Sequence, residues 1–130
     1  HIDAALARRA EIDARYRTEL ADLPGVRCVR DSGERVANHS YFPILVGPEY
    51  PHSRDALYAR LRENDIYARR YFYPLISDFP MYRSMPSANP SHLPVASDIA
   101  RKVLCLPIYP ALSDADQGRV IDVIRGACRT

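Results

Sequence analysis

The sequence predicts a small α+β domain in which helices cover one face of a mainly antiparallel sheet. Apolar residues recur with helical spacing near both ends of the chain, and short apolar runs bounded by polar turns lie between them. A long proline-rich segment interrupts this pattern after residue 73. The 130 residues fit one domain, residues 1–130, which is large enough to bury a core without disulfides or metals.

The first element is a long amphipathic helix predicted over residues 2–23. Ile12, Tyr16 and Leu20 recur at a spacing of four, and Leu23 continues the stripe. Pro24 and Gly25 end the helix. Because its start carries no capping residue, we expect it to continue a longer helix from a preceding domain.

Two strands are predicted next, at residues 26–29 and 40–46, with a polar turn at residues 31–34 between them. Pro43 lies inside the second strand and cannot donate a backbone hydrogen bond, which predicts an edge strand or a bulge. Ser53 is then predicted to cap a helix that buries Leu57 and Leu61. Asn64 is its predicted left-handed terminator, and a third strand is predicted over residues 66–73.

The remaining elements follow a loop at residues 74–93 that is long enough to indicate a function. Pro94 is predicted to start a short helix, and a strand is predicted at residues 104–108. The last helix is predicted to be capped by Ser113. Two sets of residues are predicted to face the interior: Ala96, Ile99, Ala100 and Val103 from the short helix, and Val120, Ile124 and Ala127 from the last helix.

Composition argues against several classes of protein. The 18 basic and 16 acidic residues leave a formal charge of +2, too small a field to gather nucleic acid or to coat a membrane, and no apolar run reaches the length of a membrane span. Three cysteines and four histidines show no ligand spacing, so we predict no metal site. An odd number of widely spaced cysteines is typical of buried, reduced thiols in a cytoplasmic protein.

The segment from Ile66 to Arg83, IYARRYFYPLISDFPMYR, has the composition of a binding site. Aromatic rings and guanidinium groups offer stacking faces, hydroxyls and fixed hydrogen-bond donors at low entropic cost. Such groups suit a polar, ring-shaped ligand. The alternative is that the tyrosines pack and the arginines are solvated.

Four segments carry a family resemblance, in this order: ARYRTELADLPGV, NHSYFPILV, IYARRYFYPL and LPVASDIARKVLCLPIYPALSDAD. Together they cover nearly the whole chain, which resembles the C-terminal small domain of the DegT/DnrJ/StrS sugar-nucleotide aminotransferases. Within the family it looks closest to enzymes that aminate dTDP-keto-6-deoxyhexoses.

The resemblance implies a cytoplasmic homodimer that uses pyridoxal phosphate to move an amino group, from glutamate, to a keto sugar. It implies that an N-terminal large domain, missing from this chain, supplies the Schiff-base lysine and most of the phosphate site. Lys102 is the only lysine here and lies on the charged side of its predicted helix, where a solvated role is expected. The chain alone is therefore expected to be inactive, with no catalytic or cofactor-binding residue.

The resemblance also suggests five substrate-binding residues: Arg69, Tyr71, Tyr73, Ser40 and His39. Relatives often carry arginine, a hydrophobic residue, histidine and tyrosine before the proline that matches Pro74. This chain keeps the arginine as Arg69 but has Tyr71 in place of the histidine. Strand alternation predicts that Arg69, Tyr71 and Tyr73 share one face.

Ser40 stands where many relatives have histidine, and His39 directly precedes it. The alternatives are that His39 is an exposed polar residue and that Arg69 pairs with a surface carboxylate. A different class also stays open: a non-enzymatic α+β module that binds nucleic acid through arginines and tyrosines on an open sheet. Oligonucleotide binding with a steep salt dependence would favour that class.

Overall fold

A computed structural model describes residues 1–30, 33 and 37–128 of the chain. Within these residues the elements are α1 (Ile2–Leu20), β1 (Val26–Cys28), β2 (Phe42–Val46), α2 (Arg54–Glu63), α3 (Pro94–Lys102), β3 (Val103–Leu106) and α4 (Asp114–Gly126). The strands form one antiparallel sheet in the order β1-β2-β3. The predicted α+β class with a mainly antiparallel sheet is confirmed.

The core lies between one face of the sheet and helices α1, α2 and α4. Phe42, Ile44 and Val46 alternate along β2 and point into it. The apolar stripes predicted from helical spacing are confirmed, and these residues all belong to the core: Ile12, Tyr16, Leu20, Leu23, Leu57, Leu61, Val120, Ile124 and Ala127. Helical periodicity therefore identified which face of each long helix is buried.

Helix α3 lies on the other side of the sheet. It begins at Pro94, as predicted, and its Ile99 lines a groove with Leu45 and Val103, whose strand neighbours point into the core. Of its predicted apolar face, Ala100 is buried but Ala96 is exposed. The helices are therefore not confined to one face.

Pro43 lies in the central strand, so the prediction of an edge strand or bulge is wrong. Pro43 pairs with Cys105 of β3, and the backbone N–H and carbonyl of Cys105 both bond to Arg69 instead, on the outer side of the sheet. The Pro43 nitrogen thus faces β1, where it lacks a proton to donate. The Arg17 guanidinium donates to the Val29 carbonyl at 2.9 Å and replaces that missing bond.

The predicted third strand at residues 66–73 is also wrong. Only Arg69 pairs with the sheet, through its backbone bonds with Cys105, and residues 71–72 form a turn. Aromatic residues favour strands only where cross-strand neighbours accept their side chains. Here the Tyr71 ring contacts Tyr41, just before β2, and the Tyr73 ring contacts Arg54 at the start of α2.

Several boundaries shift by a few residues: α1 ends at Leu20, β2 begins at Phe42, and β3 spans Val103–Leu106. The Ser53 and Ser113 caps are confirmed, each hydroxyl accepting a backbone N–H. Asn64 is not left-handed, with φ −101°, and Asp65 takes that conformation at φ 59°. Of the predicted turn at residues 31–34, only Gly33 lies within the described residues. No helix in the described ranges has the length and apolarity to cross a bilayer.

Candidate functional site

Antiparallel pairing creates a groove at one end of the sheet. The start of β2 lies beside the end of β3, because Phe42 pairs with Leu106. Residues just before β2 and just after β3 therefore meet there, and the paired Arg69 brings in a third segment. This Ser40–Arg69 groove holds about 380 Å³ and is lined by Ser40, Tyr41, Tyr67, Arg69, Cys105, Leu106, Pro107, Ile108 and Tyr109.

Arg69 brings an uncompensated positive charge to this groove. Its backbone is fixed by the two bonds to Cys105, at 3.0 and 2.8 Å, while its side chain is exposed. Within the described ranges its guanidinium forms no ion pair with a carboxylate. Burial raises the pKa of the neighbouring Cys105 thiol, and the charge of Arg69 opposes that rise. The backbone of Arg69 is thus fixed at the groove, and its exposed guanidinium can bind an acceptor.

Tyr71 joins the groove through Tyr41. The two hydroxyls lie 2.8 Å apart and the ring centres 4.8 Å apart, and the Tyr71 ring also contacts Phe72 at 4.4 Å. The hydrogen bond with Tyr41 raises the pKa of Tyr71. This hydroxyl pair can donate and accept hydrogen bonds at the groove edge.

The Tyr73 side chain lies outside the Ser40–Arg69 groove. Its ring centre lies 4.8 Å from the Arg54 guanidinium carbon and 5.1 Å from that of Arg70. The expected common face for Arg69, Tyr71 and Tyr73 is therefore wrong, because the turn at residues 71–72 breaks strand alternation. Tyr73 instead lines a second, neighbouring space of about 440 Å³, the arginine–tyrosine groove, formed by Tyr58, Arg62, Tyr67, Ala68, Arg69, Arg70 and Tyr73.

Ser40 and His39 diverge although they are adjacent in sequence. Ser40 lines the Ser40–Arg69 groove. Its backbone N–H and its hydroxyl both donate hydrogen bonds to the side-chain Oδ1 of Asn38, at 3.1 and 2.9 Å. His39 has φ 47° and places Nδ1 3.3 Å from Asp13, which also accepts from Arg17 at 2.6 Å. The structure thus brings Ser40, Arg69 and, through Tyr41, Tyr71 together. Tyr73 lines the arginine–tyrosine groove, and His39 lines a third groove that it shares with Ser40 and Tyr41.

Three tyrosines that line the groove, Tyr41, Tyr67 and Tyr109, were not among the five predicted substrate-binding residues, although Tyr67 lies in the segment predicted to have the composition of a binding site. Tyr109 follows β3 in the LPIYP run, and antiparallel pairing would have placed it beside the residues that precede β2. Tyr67 could not have been found in this way. Its place in both grooves depends on the path of residues 66–70 outside the sheet.

Lys102 and the groove beside it do not fit a pyridoxal phosphate site. Lys102, the only lysine, donates to Asp98 at 2.8 Å from the last turn of α3. The groove beside it, about 260 Å³, is lined by Arg27 and Lys102 but also by the carboxylates of Glu49 and Asp98, so its lining carries no net positive charge to hold a phosphate. Cofactor chemistry is therefore not assigned to residues of this chain.

The fold, with three helices on one face of a small antiparallel sheet, matches about a third of several solved structures, among them the aminotransferase TlmJ of Streptoalloteichus hindustanus, with a TM-score of 0.83 and 27% identity. DesI, crystallised in the presence of its TDP-sugar product, matches 96% of this chain and 32% of its own with a TM-score of 0.84 and 31% identity. DesV of S. venezuelae matches 98% of this chain and 33% of its own with a TM-score of 0.83 and 28% identity.

Residues 1–125 match the model of the DegT/DnrJ/EryC1/StrS aminotransferase family, and the chain belongs to that family. The dTDP-4-amino-4,6-dideoxy-D-glucose transaminase of Escherichia coli is 41% identical over 97% of this chain and 34% of its own length. The dTDP-4-dehydro-2,3,6-trideoxy-D-glucose 4-aminotransferase of Saccharopolyspora spinosa is 33% identical over 92% of this chain and 29% of its own. The chain thus spans about a third of the curated relatives it matches.

Proposed function

We propose that this chain is the C-terminal small domain of an aminotransferase that moves an amino group, from glutamate, to a nucleotide-linked keto-deoxysugar. Membership of the family and the names of its dTDP-sugar relatives support this reaction class. Pyridoxal phosphate would be held by a large domain outside this sequence, since Lys102 and the groove beside it do not fit it. The whole enzyme would be a cytoplasmic homodimer.

In this proposal the Ser40–Arg69 groove forms part of the sugar-binding wall. The observation that carries it is the exposed Arg69 guanidinium, which extends from a fixed backbone and has no carboxylate partner among the described residues. It lies among the side chains of Ser40, Tyr41, Tyr67 and Tyr109. Hydroxyl groups can donate to and accept from sugar hydroxyls, and tyrosine rings offer flat apolar faces. The chemistry belongs to the cofactor, and this domain orients and encloses the sugar.

The test is Arg69→Ala in the full-length enzyme. Loss of a charge-assisted hydrogen bond costs about 1.5 to 3 kcal/mol, so kcat/KM for a dTDP-keto-6-deoxyhexose is expected to fall about tenfold to a hundredfold. Cofactor absorbance stays unchanged. Arg101→Ala is the matched control, because Arg101 lies exposed on α3. An unchanged kcat/KM in Arg69→Ala would remove Arg69 from the site.

A second test concerns the cofactor. This chain by itself is expected to give no specific pyridoxal phosphate absorbance, because Lys102 is paired with Asp98 beside a second carboxylate. The full-length protein is expected to show that absorbance. A specific borohydride-trapped adduct on Lys102 would contradict the assignment of the cofactor to the large domain.

A further inference from the structure

Arginine and tyrosine side chains alternate along one surface of α2 and the segment after it. The distances from guanidinium carbon to ring centre run from 4.5 to 5.9 Å, within the range of cation–π contact. In spatial order the members are Arg54, Tyr73, Arg70, Tyr58, Arg62 and Tyr67. The row runs from a buried arginine out to the arginine–tyrosine groove.

The inner end of the row is rigid. Arg54 is 3% exposed, and its guanidinium donates to the carbonyls of Ala100 and Val103 at 2.9 and 2.8 Å. Asp55 accepts from both Arg54 and Arg70, at 2.9 and 3.1 Å. This one carboxylate therefore holds Arg70 in place against Tyr58 and Tyr73.

The outer end of the row has positive charge without compensation. Arg62, Arg69 and Arg70 all line the arginine–tyrosine groove, whose described lining includes no acidic residue. Asp55 pairs with Arg70, whereas Arg62 and Arg69 form no ion pair within the described ranges. A guanidinium that stacks on a ring keeps N–H donors in its plane, and that planar fork matches the oxygens of a phosphate.

We propose that the arginine–tyrosine groove binds a diphosphate group. It shares Tyr67 and Arg69 with the Ser40–Arg69 groove, so one extended ligand can place its sugar in the first groove and its diphosphate in the second. The identity of that ligand as a sugar nucleotide rests on the proposed function. The affinity of the groove for a diphosphate anion rests on the arginines alone.

The experiment measures binding of inorganic pyrophosphate to the full-length protein by calorimetry at fixed ionic strength, with pyridoxal phosphate saturating so that the cofactor's own phosphate site is filled. Arg62→Gln is expected to weaken binding about tenfold or more, because it removes a charged donor. Arg119→Gln is the matched control: Arg119 is exposed on α4, outside the groove, and the change is expected to alter binding less than about twofold.

Equal pyrophosphate affinity in the unchanged protein and in Arg62→Gln would overturn the proposal. Absence of pyrophosphate binding to the unchanged protein would also overturn it. If Arg62→Gln then dissociates the oligomer in sedimentation, the groove is a protein interface. Equilibrium binding needs no turnover. If the protein fails to aminate keto sugars, the proposed function fails while the pyrophosphate result still decides the role of the groove.

Discussion

The helix-covered side of the sheet and the segment at residues 67–93 use apolar side chains in opposite ways. On the covered side, Ile12, Tyr16 and Leu20 of α1 are fully buried against the strands. In the segment, Phe72, Ile76 and Met81 are each more than 60% exposed, although the backbone forms ordered 3₁₀ turns.

The difference shows which apolar side chains are buried by contacts within this chain and which are left exposed. Core side chains find their partners within this sequence, so their burial stabilises the fold directly. The exposed apolar side chains of residues 72–85 form a surface of the kind that marks contact with another molecule or domain. Mutations of core residues should therefore lower the free energy of unfolding, whereas mutations of the exposed apolar residues should leave it nearly unchanged.

The largest contrast is expected between Leu57→Ala and Met81→Ala. Leu57 is fully buried, and its truncation should lower the free energy of unfolding by about 2–5 kcal/mol through lost burial and a cavity. Met81 is 68% exposed, and its truncation should change stability by less than about 0.5 kcal/mol. Urea unfolding followed by circular dichroism measures both. Similar losses would show that residues 72–85 are part of the folded core.

Arg54 joins the two regions, because it is buried at the start of α2 and also contacts Tyr73. Arg54→Met removes the donor to the Ala100 and Val103 carbonyls and should cost about 2–4 kcal/mol of unfolding free energy. Arg101→Met, on an exposed side chain, is the control and should cost little. If both variants unfold at the same urea concentration, Arg54 does not connect α3 to the segment.

The buried side should also be sensitive to alkali. Burial raises the pKa of Tyr50 to about 12, and its hydroxyl donates to the Ile124 carbonyl at 2.7 Å. In the unfolded chain this tyrosine ionises near pH 10, so between about pH 10 and 12 the unfolded state alone loses the proton and stability falls.

The expected alkaline loss from Tyr50 is on the order of 2 kcal/mol at pH 12. Urea unfolding at a series of pH values measures it. Tyr50→Phe should flatten the slope, although part remains because burial also raises the pKa of Tyr16. A slope that Tyr50→Phe leaves unchanged would contradict the assignment.

The smallest effect is expected for Lys102→Met. Lys102 and Asp98 form a half-exposed pair one helical turn apart, which contributes about 0.5 kcal/mol or less. Thermal unfolding at neutral pH measures this difference. A loss above about 1.5 kcal/mol would show that the only lysine of the chain has a buried role that the structure does not indicate.

Local patterns predicted much of the scaffold because they report burial within one element. The spacing of Ile12, Tyr16 and Leu20 and the caps at Ser53 and Ser113 depend on neighbours a few residues away. Arg69 and Ser40 were selected by residue type and family resemblance, and the structure places them in one groove.

The sequence by itself thus determined the α+β class, the buried faces of the long helices and the helix starts. Tertiary structure decided that Pro43 occupies the central strand, because Arg17 supplies the bond that proline cannot. It also decided that Tyr73 stacks on Arg54 and lines a different groove from Tyr71. Contacts between residues far apart in sequence set these outcomes, and no periodicity of 2 or 3.6 residues encodes such contacts.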